Sequence, residues 1–166
     1  MKIVFFKSPS EFRRWLKGNH DKTGELWVGF YKKDSGKPSI TWPESVDEAL
    51  CFGWIDGIRK SVDAISYTIR FTPRKPRSNW SAVNIRRVQE LTRTGRMHAA
   101  GLKAFEARKE ERSGIYSFEQ KRPKLDAAYE RKLQANKAAW KFFQAQAPWY
   151  HRTASWWVMS AKKEET

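Results

Sequence analysis

The sequence predicts an α+β fold, a small, mainly antiparallel sheet in the N-terminal half packed with a helical C-terminal half. Three observations carry that expectation. Residues 65–71, Ile-Ser-Tyr-Thr-Ile-Arg-Phe, alternate apolar and polar side chains with strict period two, the mark of a half-buried strand. Pro73 and Pro76 then break the chain, because two prolines in four residues remove backbone donors and restrict their neighbours. Beyond them apolar residues recur at helical spacing as far as Met159. The 166 residues suit one domain of ordinary size, and the 40% hydrophobic content with 9 tryptophans supplies a core. The chain is therefore read as a single domain over 1–166, with a sheet-containing part at 1–72, a basic loop at 73–80 and a helical part at 81–166.

Each element has its own local signal. Ser8-Pro9-Ser10-Glu11 combines a capping serine, a proline at the first helical position and a glutamate three after the cap, so a short helix begins there and carries Phe12, Trp15 and Leu16. Residues 25–32 form a strand with Leu26, Val28 and Phe30 on one face and Trp27 and Tyr31 on the other. Asp34 to Pro38 is a turn, Ile40 and Trp42 extend a short strand, and Pro43-Glu44 opens a helix that ends at Gly53. Residues 54–59 and 65–71 pair as a hairpin across Ser61 to Ala64. The helical half follows in segments marked by Trp80, Val83, Val88 and Leu91, by Leu102 and Phe105, by Leu125, Ala128 and Tyr129, by Trp140 and Phe143, and by Trp156, Trp157 and Met159. No internal repeat interrupts this order.

Charge narrows the partners. Lys and Arg number 33 against 18 Asp and Glu, a formal net charge of +15 that attracts nucleic acid, anionic lipid or an acidic protein. Residues 1–72 hold 12 basic and 9 acidic side chains, whereas 73–166 hold 21 and 9, so the second half carries most of the field. The single cysteine, Cys51, has no disulfide partner within the chain, which points to a reducing compartment and a cytoplasmic location. The opening apolar run Ile3 to Phe6 is too short for a signal-peptide core, and no stretch reaches membrane-spanning length.

Specific residue patterns then point to a family. Ala49-Leu50-Cys51-Phe52-Gly53-Trp54-Ile55-Asp56-Gly57, followed by Arg70-Phe71-Thr72-Pro73-Arg74 and by Ser78-Asn79-Trp80-Ser81 with Asn84, resembles the YdeI/OmpD-associated bacterial proteins. The resemblance extends to Gly95-Arg96-Met97 and to the closing Ala161 to Thr166. It implies a cytosolic or peripheral protein connected with bacteriocin protection, envelope stress and an outer-membrane porin. It also implies that relatives carry an arginine-rich helix after the Glu-Thr.

The chemistry-bearing residues favour binding over catalysis. Arg70, Arg74, Lys75 and Arg77 fall within eight residues, beside Trp80 and ahead of the helix-start residues Ser78 and Ser81, so guanidinium groups and free helix N–H groups can converge on one anion. Arg70, Arg74, Arg77, Ser78, Trp80 and Ser81 are accordingly the candidate anion site, weighed against a solvated basic loop whose serines only cap a helix. Asp56 lies in an apolar run, so it is expected to be mostly buried and bonded to Arg74, to Arg77 or to backbone amides, as a structural or a site carboxylate. No local signature pairs Cys51 with His20, His98 or His151, no metal-ligand spacing is present, and no cofactor motif appears. The aromatics Trp140, Trp149, Trp156 and Trp157 among Lys141, Arg152 and Lys162 read as core packing, against a membrane-surface helix or a base-stacking platform. The leading expectation is a non-enzymatic protein that binds an anionic ligand or partner. Two others stand beside it: a nucleic-acid-binding protein working through the basic helical half, and an enzyme acting on a phosphorylated or carboxylated small molecule near Asp56.

Overall fold

The computed structural model describes residues 2–114 and 124–161. The chain divides into two compact units, 1–113 and 114–166. Thus the proline loop at 73–80, where the composition changes, lies inside the first unit.

The first unit is built on a four-stranded sheet. Its strands are β1 (Ile3–Phe5), β2 (Leu26–Tyr31), β3 (Trp54–Ser61) and β4 (Ser66–Pro73), in the order β1-β2-β4-β3. β2 pairs antiparallel with β4 and β4 antiparallel with β3, whereas β1 runs parallel to β2. The register sets Leu26 opposite Phe71 and Val28 opposite Ile69, which places the alternating apolar residues of both strands on one buried face. On the other face, Lys60 lies over the Trp27 ring at 4.9 Å and Phe5 stacks on Tyr31 at 4.6 Å. The aromatic side chains that β2 carries on its outer face thus meet one ring and one ammonium group.

Helices cover the core face. α1 (Pro9–Asn19) is capped by Ser8, whose side chain accepts from the Glu11 amide, and it buries Phe12 and Leu16. α2 (Trp42–Cys51) starts with a reciprocal capping box between Thr41 and Glu44 and stops where Gly53 takes a φ of 74°, a left-handed conformation suited to glycine. The strand expected at Ile40 and Trp42 is absent. Ile40 is a buried coil residue whose amide donates to the Phe6 carbonyl at 3.0 Å, and Trp42 already belongs to α2, because the Thr41 cap and Pro43 turn the chain into a helix at once. α3 (Ala82–Arg93) and α4 (Ala99–Glu106) complete the unit, with Val88 and Leu91 buried on α3. Trp80, expected to join this helix, instead precedes it in an isolated parallel bridge to Ser113 and is itself buried. That bridge is the one β pairing among the described residues beyond β4.

The described part of the second unit holds α5 (Ala127–Ala135), α6 (Lys137–Gln144) and α7 (Pro148–Met159), with Asn136 closing α5 and capping α6. His151 of α7 stacks on Phe143 of α6 at 4.6 Å, and its Nε2 donates to the Phe143 carbonyl at 2.6 Å. The expectation that the tryptophans here fill a core is corrected. Trp149 and Trp157 are 61% and 65% exposed, and Trp140 and Trp156 only partly buried. Adjacent positions on a helix point about 100° apart, so the consecutive rings Trp149-Tyr150 and Trp156-Trp157 cannot all face inward from one short helix.

α4 closely approaches the end of α2 at Gly101. A Cβ at Gly101 would sit 2.2 Å from the Cys51 carbonyl oxygen. Gly101→Ala therefore separates two effects: helix propensity alone predicts a gain of about 1 kcal/mol, whereas overpacking predicts a loss of roughly 1–3 kcal/mol. Urea unfolding of the variant is expected to show the loss, and a gain would contradict the close approach.

Candidate functional site

The predicted anion-site residues separate into two groups. β4 delivers Arg70, and the Arg74 amide, donating to the Gly53 carbonyl at 2.8 Å, holds the following loop against the end of α2. Together with Gly24, Thr72, Pro73, Lys75 and Pro76, these two arginines line one open depression of about 540 Å³. Arg77, Ser78, Trp80 and Ser81 are not among its lining residues. Ser81 accepts from the Asn84 amide at 3.1 Å, so its hydroxyl caps α3. The Ser78 amide donates to the Lys75 carbonyl at 2.9 Å, and the Arg77 carbonyl accepts from Arg112 at 3.0 Å. Trp80 lies under Arg74 instead: the Arg74 guanidinium lies 3.6 Å from its ring centroid and donates to the Asn79 carbonyl at 3.1 Å. Arg70 donates through Nε to Glu25 at 2.7 Å, a pair open to solvent on both sides.

Asp56 has a different partner from the one expected. It is half-buried on β3 and accepts from the Trp42 indole N–H at 2.9 Å, and the ion pairs among the described residues do not include it. The capping box starts α2 at Trp42 and so brings an indole donor to β3, while Arg74 is held on Trp80. Asp56 is not among the residues lining the arginine depression.

A second polar cluster escaped the sequence reading. Glu48 of α2 is 2% exposed, and it accepts from Arg13 of α1 at 2.8 Å and from Arg96 of the α3–α4 connection. Arg13 also donates to the Arg96 carbonyl at 2.6 Å and lies over the Phe52 ring at 5.3 Å. Burial works against the Arg13 charge, but the bonds to Glu48 and to the Cys51 thiol outweigh it and raise its pKa. Next to Glu48, Asp47 receives Arg87 of α3 through two bonds of 2.9 and 2.5 Å, and this fork holds the Arg87 charge above its usual pKa. The signal was present in the sequence. Ser45, Glu48, Ala49 and Phe52 stand at i, i+3, i+4 and i+7, so a carboxylate occupies the buried stripe of α2.

Cys51 is buried in the same neighbourhood, and burial pushes its thiol pKa up, the reverse of what an activated nucleophile needs. His98 stacks on Phe52 at 4.8 Å and meets the His20 ring at 5.0 Å, but its Nδ1 is engaged as the N-cap of α4, accepting from the Ala100 amide at 3.3 Å. Among the described residues no group of three or more His, Cys, Asp or Glu side chains could hold a metal ion. No helix among them is long and apolar enough to cross a membrane.

Comparison with known families divides the chain near the boundary between its units. The model of the family described as Domain of unknown function (DUF8412) matches residues 4–104. The model described as Bacteriocin-protection, YdeI or OmpD-Associated matches residues 122–166. The resemblance drawn from the sequence is therefore present in the second unit, while the motif residues at 49–57, 70–74 and 78–84 lie in the other match. No curated protein and no solved structure matches the chain.

The histidine cap makes the first unit sensitive to acid. Burial, then the nearby His20, Arg13 and Lys17, lowers the pKa of His98 below its ordinary value, so the unfolded chain binds this proton more readily than the folded one. Stability from this group is complete above the unfolded pKa of about 6.5 and falls as pH drops through the interval down to the folded value. His98→Asn keeps a capping oxygen and removes the titration. Urea midpoints measured between about pH 5 and pH 8 are expected to fall less on acidification in the variant than in the parent, and parallel curves would refute the assignment.

Proposed function

The chain belongs to the family described as Domain of unknown function (DUF8412), and from that premise and the geometry of its basic depression we propose that it is a non-enzymatic binding protein of the bacteriocin-protection type, taking an anionic ligand at Arg70, Arg74 and Lys75. One observation carries the reading: three cationic side chains line one open depression whose walls include Pro73 and Pro76. Prolines reduce the entropy lost when a loop is ordered, and an arginine laid on a tryptophan face is immobilised before any ligand arrives. Planar guanidinium groups suit the oxyanions of phosphate or carboxylate. Glu25, bonded to Arg70, is the internal anion that such a ligand would displace.

The reading is favoured over an enzyme acting near Asp56 because that carboxylate is engaged by Trp42 and is not among the residues lining the depression. It is favoured over general nucleic-acid binding because the cations converge on one depression next to a carboxylate, and no nucleic-acid recognition motif accompanies the charge. Cytoplasmic placement is part of the proposal and rests on the unpaired count of one cysteine.

Calorimetry with inorganic phosphate and a series of phosphate-bearing small molecules tests the site. Arg70→Gln with Lys75→Gln is expected to weaken binding at least ~10-fold. Arg86→Gln with Arg93→Gln, two exposed arginines of α3, is expected to change it less than ~2-fold, with a shallow dependence on salt. Arg74 is left intact because it clamps Trp80. Equal losses in the two double variants, or no binding by the parent, would overturn the reading.

A further inference from the structure

We propose that the turn joining α6 to α7 is a membrane-surface anchor whose aromatic rings insert into the headgroup region of an anionic lipid bilayer, independently of the basic depression in the first unit. The inference follows from the exposed rings that the core reading could not absorb. Phe142, near the end of α6, is 58% exposed, and Trp149, at the start of α7, is 61% exposed. They are linked through Tyr150, whose ring meets Phe142 at 6.1 Å and Trp149 at 5.9 Å, both edge-on. Ala145, Ala147 and Pro148 between them are exposed as well, so the turn presents apolar side chains interrupted only by the uncharged amides Gln144 and Gln146. Trp157 extends it along α7, standing eight residues after Trp149 with exposed Thr153 between, at i, i+4 and i+8 on one side of the helix.

The charge pattern selects the occupant. Residues 142–151 carry no Lys, Arg, Asp or Glu, and the segment is bounded by Lys141 and Arg152. From residue 137 to 161 the chain holds Lys137, Lys141 and Arg152 and no carboxylate side chain. A bilayer interface has the same vertical order: aromatic rings at the acyl boundary and long cationic side chains reaching back to the phosphates. A single-stranded nucleic acid would call for cations interleaved with the rings, since each stacked base brings its own phosphate. A second copy of the chain would bring three further cations against these three, with no carboxylate to offset them. Anionic lipid is the partner that both the apolar tip and the cationic rim attract.

The test uses the whole chain and flotation with vesicles of phosphatidylcholine alone or with roughly one third phosphatidylglycerol. The parent is expected to float with the anionic vesicles and to release as salt rises. Phe142→Ser with Trp149→Ser is expected to reduce binding at least ~10-fold, with unchanged circular dichroism and melting because both rings are exposed. Lys141→Gln with Arg152→Gln is expected to reduce binding to the anionic vesicles and to flatten the salt dependence. Arg70→Gln with Lys75→Gln is expected to float like the parent, which separates this site from the depression. The proposal is overturned by the absence of flotation, by equal flotation of the Phe142/Trp149 variant, or by loss in the Arg70/Lys75 variant. It is likewise overturned if the aromatic pair proves to be required for binding oligothymidylate or for self-association in sedimentation while vesicle binding is unaffected.

Discussion

The first unit is organised around one buried carboxylate. Glu48 is almost wholly removed from water, and a charge in that position is tolerated only with partners that restore what solvation supplied. Arg13 and Arg96 provide them, and both remain open enough to water, at 36% and 44% exposure, that their own desolvation is modest. The expensive member of the cluster is therefore the single carboxylate. Its two partners come from α1 and from the α3–α4 connection, so one charge fixes three separate stretches of chain.

Other features of the unit are arranged around the end of the helix that this carboxylate positions. The Cys51 carbonyl accepts the His98 amide and leaves room for no side chain at residue 101. The Gly53 carbonyl accepts the Arg74 amide, which sets the loop of the basic depression. Arg74 in turn covers Trp80, and the Trp80 amide donates to the Arg112 carbonyl near the limit of the unit. The depression lined by Arg70, Arg74 and Lys75 is thus tied, through the end of α2, to the ion cluster around Glu48.

Much of this was legible in the sequence where the signal is local. The period-two run of β4, the caps at Ser8 and Thr41 and the stop at Gly53 each state their consequence within a few residues, and the strands β2, β3 and β4 appear where they were expected. Strand β1 was not distinguishable, because three residues show no period and its pairing with β2 is parallel and distant in sequence. Asp56 was recognised as a carboxylate needing a partner, yet which donor reached it depended on where α2 begins relative to β3. Glu48 was passed over: its place on the apolar stripe of α2 was readable, but only when that stripe is drawn explicitly. The exposed rings of α6 and α7 show the limit of periodicity, which marks a helix without revealing whether its partner is the same chain.

Charge pairing at Glu48, rather than the bulk of the arginine side chains, holds α1, α2 and the α3–α4 connection together. Urea unfolding of Arg13→Met/Arg96→Met tests it directly when compared with the same pair combined with Glu48→Leu. The double variant strands a buried carboxylate and is expected to lose roughly 3–5 kcal/mol. The triple variant removes the stranded charge and is expected to recover most of that loss. A triple variant as unstable as the double, or a double variant within about 1 kcal/mol of the parent, would contradict the account.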